Sequence, residues 1–304
     1  MNRSRVAVVI PAFNAASTIG ETLDALQRNS ALNNIARVVL LDDCSDDGTI
    51  EVAERHWRSD VAFEVWRNPT NMGERRTTNA GIGRLADCVD WTLVLHADDV
   101  VKPDWLSLYL EAISVVPASV ASICSSYDYW WPDTGRIQAG EEFPGLPAVH
   151  IRGEMAGVIG TLDRGCWWHL SGCGLRNTAF SEIGGFTPDM PQLGDWEWLL
   201  RCLSKGFDIW YLPRTTMLYR QHSASISSNA FRSAIDVRER LRIFRLVAAG
   251  GFITKDGHRA RVRLSITQLV RRALGRIARG DGFGFCKHVS LIVESLSLCL
   301  RGRL

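Results

Sequence analysis

The sequence has none of the glycine-rich loops that cradle phosphates through backbone amides. No Gly-x-x-x-x-Gly-Lys-Ser/Thr occurs, and the turn after the first apolar run, Pro11-Ala12-Phe13-Asn14, holds no glycine. A Walker-type nucleotide site and a dinucleotide fold opened by Gly-x-Gly-x-x-Gly are thereby excluded. The eight cysteines contain no Cys-x-x-Cys and no even spacing, which argues against a zinc ribbon and against a disulfide framework. No apolar run reaches the roughly 18 residues of a membrane-spanning helix. Met1 to Arg5 leads straight into a strand without the apolar core of a signal peptide. Thiols flanked by apolar or small residues suit a reducing compartment, so a cytoplasmic protein is expected.

What is present is ordinary in bulk and uneven in distribution. The chain has 304 residues, 46% hydrophobic and 22% charged, enough for one large domain or one domain plus an appendage. The net charge of +2 conceals a split. Residues 1–230 carry 19 Lys and Arg against 28 Asp and Glu, a balance of −9; residues 231–304 carry 16 against 5, a balance of +11. An acidic body with a basic tail predicts a tail that faces something anionic. Nucleic acid is not expected, because no recognition motif accompanies the charge.

Val6 to Ile10, Arg37 to Leu41 and Trp91 to Leu95 are apolar, β-branched or aromatic runs of the kind buried in parallel sheets. Helical periodicity separates them: Ile19, Leu23 and Leu26 share one face, and further helices are expected from about Thr49 to Trp57 and about Thr77 to Leu85. This alternation predicts an α/β fold with its ligand crevice at the carboxyl ends of the strands. Acids collect there, in Asp42-Asp43-Cys44-Ser45-Asp46-Asp47 and in His96-Ala97-Asp98-Asp99. Without backbone amides to hold phosphate, a divalent cation on carboxylates must neutralise it.

Pro11-Ala12-Phe13-Asn14, Leu41 to Thr49, Asn71-Met72-Gly73, Asn79 and His96-Ala97-Asp98-Asp99, in this order and spacing, resemble the successive signatures of family-2 glycosyltransferases. The resemblance spans roughly residues 5–225. It implies a GT-A type three-layer α/β/α sandwich with a mostly parallel mixed central sheet, here followed by a C-terminal α-helical appendage. It further implies an inverting, metal-dependent transfer of a sugar from a nucleotide-diphosphate donor, with Mn2+ or Mg2+ as cofactor. Carried over to this chain, Asp43 meets the donor base beside Pro11, Ala12, Phe13 and Asn14. Asp98 meets ribose or sugar, Asp99 binds the metal, and Asn79 belongs to the nucleotide-sugar site. His96 stands where many members have an acid, either as a donor behind the metal ligands or as a packed strand-end histidine.

The second half carries the acceptor side. A helix is expected from Trp105 to Val116 and a strand from Ala121 to Cys124. Ser125 to Gly165 has weak periodicity and is expected to be an irregular, mobile wall of the acceptor cleft. Trp167 and Trp168 could stack on sugar rings or pack in the core, and Gly172 lies in the small-residue turn that family members place beneath the donor sugar. Gly194-Asp195-Trp196-Glu197-Trp198 resembles the family segment whose second acid is the catalytic base, which is Asp195 here. Helix capping is the alternative for Asp195, and Glu197 is expected to be structural. Tyr219-Arg220-Gln221-His222 resembles the closing motif, with Arg220 on phosphate charge and His222 on metal or diphosphate.

Beyond Asn229 the chain turns helical and arginine-rich. Residues 1–229 are therefore expected to form the catalytic domain, with a nucleotide half to about 100 and an acceptor half from about 101. Residues 230–304 form a basic helical region. Its arginines and apolar stripes suit either the inner face of a cytoplasmic membrane presenting a lipid-linked acceptor, or packing against the body or a second subunit. Surface polysaccharide or glycolipid assembly is the expected setting, with a glycan or lipid-linked acceptor. A nucleotidyltransferase and a catalytically silent nucleotide-sugar or membrane-surface binding module are the alternatives.

Overall fold

The computed structural model describes residues 4–140, 150–221, 235–278, 280–281, 284–286 and 288–293. The apolar runs become β1 (Val6–Ala12), β2 (Arg37–Asp42) and β4 (Trp91–Val94), paired in parallel with β1 in the middle. Phe63–Arg67 (β3) adds in parallel outside β2 and is only half-buried, as an edge strand should be. Period-two alternation sorts their side chains into two cores. Val8, Ile10, Val38 and Leu40 pack with Ile19, Leu23, Leu26, Trp105 and Tyr109. Ala7, Val9, Val39 and Leu41 pack on the opposite face with Ile82, Leu85, Leu162 and Trp198. Helices α1 (Ile19–Gln27), α2 (Thr49–His56) and α4 (Trp105–Val115) thus cover one face, and α3 (Glu74–Leu85) the other. Both faces are covered, so the strands need no polar side.

The sheet continues as a mixed one. Gly174–Arg176 (β9) lies antiparallel between β4 and Val120–Trp131 (β6), and β6 runs parallel to Asp208–Arg220 (β10). Three short strands complete it: Val100–Val101 (β5) and His150–Ile151 (β8) on β10, and Arg136–Gln138 (β7) on β6. Met155–Arg164 (α5), Asn177–Ile183 (α6) and Gly194–Ser204 (α7) join α3 on its face.

One expectation is corrected here. The stretch Ser125 to Gly165, read as irregular, holds the far half of β6, then β7, β8 and α5 in its described parts; 141–149 lie outside the described residues. Ser125, Ser126 and Asp128 interrupt the apolar pattern of β6, and it is pairing with the sequence-distant β10 that carries the strand on to Trp130, with Trp131 paired to β7. β10 in turn is one 13-residue strand, with Pro213 absorbed at a register shift between Leu212 and Thr215.

In the tail, α8 (Ile235–Ala249) sends Ile243, Phe244 and Val247 into the body's core, and α9 (Lys255–Ile277) folds back on it. Val237 and Leu241 meet Val262 and Leu269 in a small separate cluster. Arg272 clamps the pair by donating two bonds of 2.9 Å to Asp236. Arg261 also pairs with Asp163 of α5. The expected break at 229 lies outside the described residues. Among the described residues no helix is long and apolar enough to cross a membrane.

Candidate active site

The carboxyl ends of β1, β2 and β4 open onto a cleft of about 1040 Å³ that reaches across the sheet to β6 and β10. Its floor on the β1–β2 side is made of two loops stitched together. The Asn14 N–H donates to Ser45 Oγ at 2.9 Å, and the Asp46 N–H returns a bond of 3.0 Å to Asn14 Oδ1. The Ala15 and Ala16 N–H groups donate to Thr49 and Asp47 side chains at 2.8 and 2.9 Å. Asn14 and Cys44 both have positive φ, +49° and +67°, backbone strain concentrated where the two loops meet. Pro11, Ala12 and Phe13 line the cleft, with Phe13 50% exposed.

Asp43 sits between these loops and the start of α3. Its N–H donates to the Ala12 carbonyl at 2.8 Å, and its carboxylate accepts from Asn68, Thr77 and the N–H groups of Met72 and Gly73, each at 2.8 Å. Gly73 takes φ +85°, a conformation that favours glycine and turns its N–H toward that carboxylate. Burial works against the charge on Asp43, but these donors hold its carboxyl below the usual carboxylate range.

At the end of β4, His96, Asp98 and Asp99 bring one ligand atom each to within 4.8 Å of one another. Asp99 is fully buried: Oδ1 accepts from the Arg220 N–H at 3.0 Å, and Oδ2 has no hydrogen-bond partner. Burial first and the Asp98 carboxylate second push the Asp99 carboxyl up to about 7, with His96 opposing. A buried, unpartnered carboxylate oxygen facing a second acid is a group that a cation would satisfy, and two carboxylates are a donor set that Mn2+ or Mg2+ fits. Arg220 frames the cluster from β10, donating to the Asp98 carbonyl at 2.7 Å and pairing with Glu21 while its guanidinium lies 4.4 Å above the Trp130 ring. His222, expected as a further ligand, lies outside the described residues.

A chain of alternating charge joins this cluster to Asp195. His96 Nε2 lies 3.2 Å from Glu74, and Glu74 lies 3.6 Å from Arg75. Arg75 in turn pairs with Asp195. Burial disfavours the His96 cation, but Glu74, then Asp99 and Asp98, raise it to about 9. Arg75 is 7% exposed and lies 5.7 Å over the Phe186 ring. Asp195, in the first turn of α7, also accepts from the Leu170 N–H at 3.3 Å. The N-cap position of α7 belongs to Leu193, and Glu239 of α8 takes the Gln192 and Leu193 N–H groups, so Asp195 is not the cap. Glu197 binds Arg201 at 2.8 Å and Thr187 at 2.9 Å, a structural role as expected.

Four expected positions serve the framework. Asn79 exchanges two 2.8 Å bonds with the Phe186 backbone, clamping the turn after α6, and does not line the cleft. Trp167 and Trp168 border the cleft but are 3% and 1% exposed, their indole N–H groups taken by Thr161 and Ser122; Trp168 stacks on Trp198 at 5.2 Å. Neither can offer a ring face to a sugar. Gly172 takes φ +80° and gives its N–H to Val94 and its carbonyl to Trp105, a turn that seats β9 against β4. Glu74, Arg75, His169 and the tyrosines of β6 were missed by the sequence reading. The one available signal was the period-two spacing of Tyr127, Tyr129 and Trp131.

Comparison with known proteins agrees with this fold. Succinoglycan biosynthesis protein ExoA of Rhizobium meliloti is 25% identical over 215 residues, covering 70% of this chain and 62% of that protein. S. aureus TarS 1-349 in complex with UDP-GlcNAc superposes with a TM-score of 0.63 at 16% identity, over 96% of this chain and 81% of that one. The mannosyltransferase PcManGT from Pyrobaculum calidifontis, in complex with GDP-Man and Mn2+, gives 0.59 at 14%, over 99% and 88%. The GT-A fold is thus shared across low identity. The glycosyl transferase family 2 model matches residues 7–167, more than half of the chain, and the chain belongs to that family of glycosyltransferases.

Proposed function

We propose that the cleft transfers a sugar, with inversion, from a nucleoside-diphosphate sugar to a hydroxyl of a glycan or lipid-linked acceptor. The observation that carries this is one cleft lined both by Asp98, which clusters with the buried Asp99 and its unpartnered oxygen, and by a separate carboxylate, Asp195, on the acceptor side. In this reading the nucleoside lies over Pro11 to Asn14 with Asp43 shaping its pocket, and Asp98 meets ribose or sugar. Asp98 and Asp99, with His96 beside them, would hold Mn2+ or Mg2+, which supplies positive charge to the diphosphate oxygens.

Asp195 accepts the proton of the attacking hydroxyl while that oxygen bonds to the anomeric carbon. The bond from that carbon to the diphosphate oxygen breaks, and its electron pair leaves with the nucleoside diphosphate. Arg75 and the Leu170 N–H orient the Asp195 carboxylate for this step. Arg220, held by Glu21, contributes positive charge beside the leaving group.

The setting we infer is polysaccharide assembly, supported by the likeness to ExoA. Residues 1–229 act as the catalytic domain, its nucleotide half ending near 100. Residues 230–304 act as a basic helical region at the inner face of a membrane. Leu264, Leu274 and Ile277 of α9 are 61%, 60% and 53% exposed beside exposed Arg263 and Arg271, a pattern suited to an anionic lipid surface.

Hydrolysis of a panel of nucleotide sugars, with and without Mn2+, by wild type and Asp99→Ala tests the reaction. Turnover of at least one donor that needs Mn2+ and is lost in Asp99→Ala is the expected result. Turnover indifferent to both overturns the mechanism.

A further inference from the structure

The wall of the cleft opposite the nucleotide loops is built of rings. Tyr127, Tyr129 and Trp131 are alternate residues of β6 and share one face of that strand. Tyr219 is paired in register with Tyr129 on the adjacent β10. Ring centroids are 5.4 Å apart for Tyr127 and Tyr129, 6.1 Å for Tyr129 and Tyr219, and 6.3 Å for Tyr129 and Trp131. All four are half-buried, and the three tyrosines line the cleft. His169 links the wall to the reacting centre, its ring 4.8 Å from Tyr219, 5.0 Å from Tyr127 and 6.0 Å from His96.

Three features define what such a wall takes. Burial pushes the Tyr127 phenol well above its ordinary value, so that ring stays neutral. Asp133 and Gln221 also line the cleft beside these strands and provide hydrogen-bonding groups next to the rings. The two arginines among the described cleft residues, Arg75 and Arg220, are already paired with Asp195 and Glu21. The acceptor side lined by the tyrosines therefore offers aromatic faces and neutral or acidic polar groups, and among the described cleft residues no uncommitted arginine for a phosphate. A pyranose ring has the matching form, an apolar C–H face with a rim of hydroxyls. In the sheet, β4 and β9 separate β6 and β10 from the β1–β2 nucleotide loops, so this wall is not the nucleotide's.

We propose that Tyr127, Tyr129 and Tyr219 form a carbohydrate-stacking platform, and that the acceptor hydroxyl is presented on a pyranose ring of a glycan. The proposal rests on the glycosyltransfer reading above and specifies its acceptor.

Saturation-transfer NMR on the full chain with UDP and Mn2+ tests it, using methyl glycosides of glucose, galactose, mannose and N-acetylglucosamine as probes. Wild type should saturate the ring C–H protons of at least one glycoside. The signal should fall by about fivefold in Tyr129→Ala and be restored in Tyr129→Phe, which keeps the ring. Tyr219→Ala is the second variant if Tyr129→Ala does not fold, and Val115→Ala, at an exposed position on α4, is the control that retains the signal. No saturation by a wild type that hydrolyses donors overturns the platform, as does an unchanged signal in folded Tyr129→Ala and Tyr219→Ala. Saturation by a wild type that hydrolyses no donor supports the platform and overturns the reaction instead.

Discussion

The two halves of the cleft are built by different means. On the β1–β2 side, short loops are fixed by backbone and local side-chain bonds, with Asp43 alone accepting four donors. On the β6–β10 side, the surface is made of large side chains brought together by two long strands distant in sequence. A nucleotide diphosphate is a constant ligand that rewards a rigid, polar pocket; an acceptor varies, and side-chain walls can change without disturbing the sheet. Asp195, with Arg75 and Glu74, bridges the two.

The sharpest way to break this division is at the bridge. Asp195→Asn should lower kcat for transfer by about 10²–10⁴-fold, the usual worth of a general base, measured as nucleoside diphosphate release. A loss under tenfold would move the base elsewhere. On the nucleotide side, Asp43→Ala leaves four donors without their acceptor and should cost about 1–3 kcal/mol of unfolding free energy in urea titrations.

The pH dependence of that contribution follows from its sign. The Asp43 carboxyl is held below its ordinary value of 3.8, so its stabilisation is fully present above that pH and is lost as pH falls through the lower folded value. The gap in urea midpoint between wild type and Asp43→Ala should therefore be the same at pH 6 and pH 5 and should narrow below pH 3.8. Asn79→Ala sharpens the boundary between site and framework. It should destabilise by about 1–2 kcal/mol through its two lost bonds to Phe186 while leaving UDP affinity unchanged. The smallest effect is expected on the tail: Leu264→Glu with Leu274→Glu should shift stability by under about 0.5 kcal/mol. The same pair should reduce cosedimentation with phosphatidylglycerol vesicles; equal binding by wild type and variant would remove α9 from membrane contact.

Legibility in the sequence followed the same division. The strand ends carrying Asp43, Asp98 and Asp99 could be placed because each follows an uninterrupted apolar run whose only stable home is a covered parallel sheet. Asn79 was misplaced because a motif position does not say where an amide points, and here it points to Phe186. Trp167 and Trp168 sit beside the site in sequence yet lie within the core, since burial depends on Thr161, Ser122 and Trp198 packing around them. The tyrosine wall stayed hidden because Ser125, Ser126 and Asp128 break the apolar pattern of a strand that long-range pairing completes. Arg75 could not be told from Arg76 by sequence; one is buried against Asp195 and the other is exposed near Asp189.

The central claim is that Asp98 and Asp99 hold a cation against the donor's diphosphate. Calorimetric titration of UDP and of GDP into wild type and Asp99→Asn, each in Mn2+ and in EDTA, tests it most directly. The account predicts that Mn2+ tightens binding of at least one nucleotide to the wild type by about tenfold or more, worth ~1.4 kcal/mol, and has little effect on the variant. Equal wild-type affinity in Mn2+ and in EDTA, or the same Mn2+ dependence in Asp99→Asn, would contradict it.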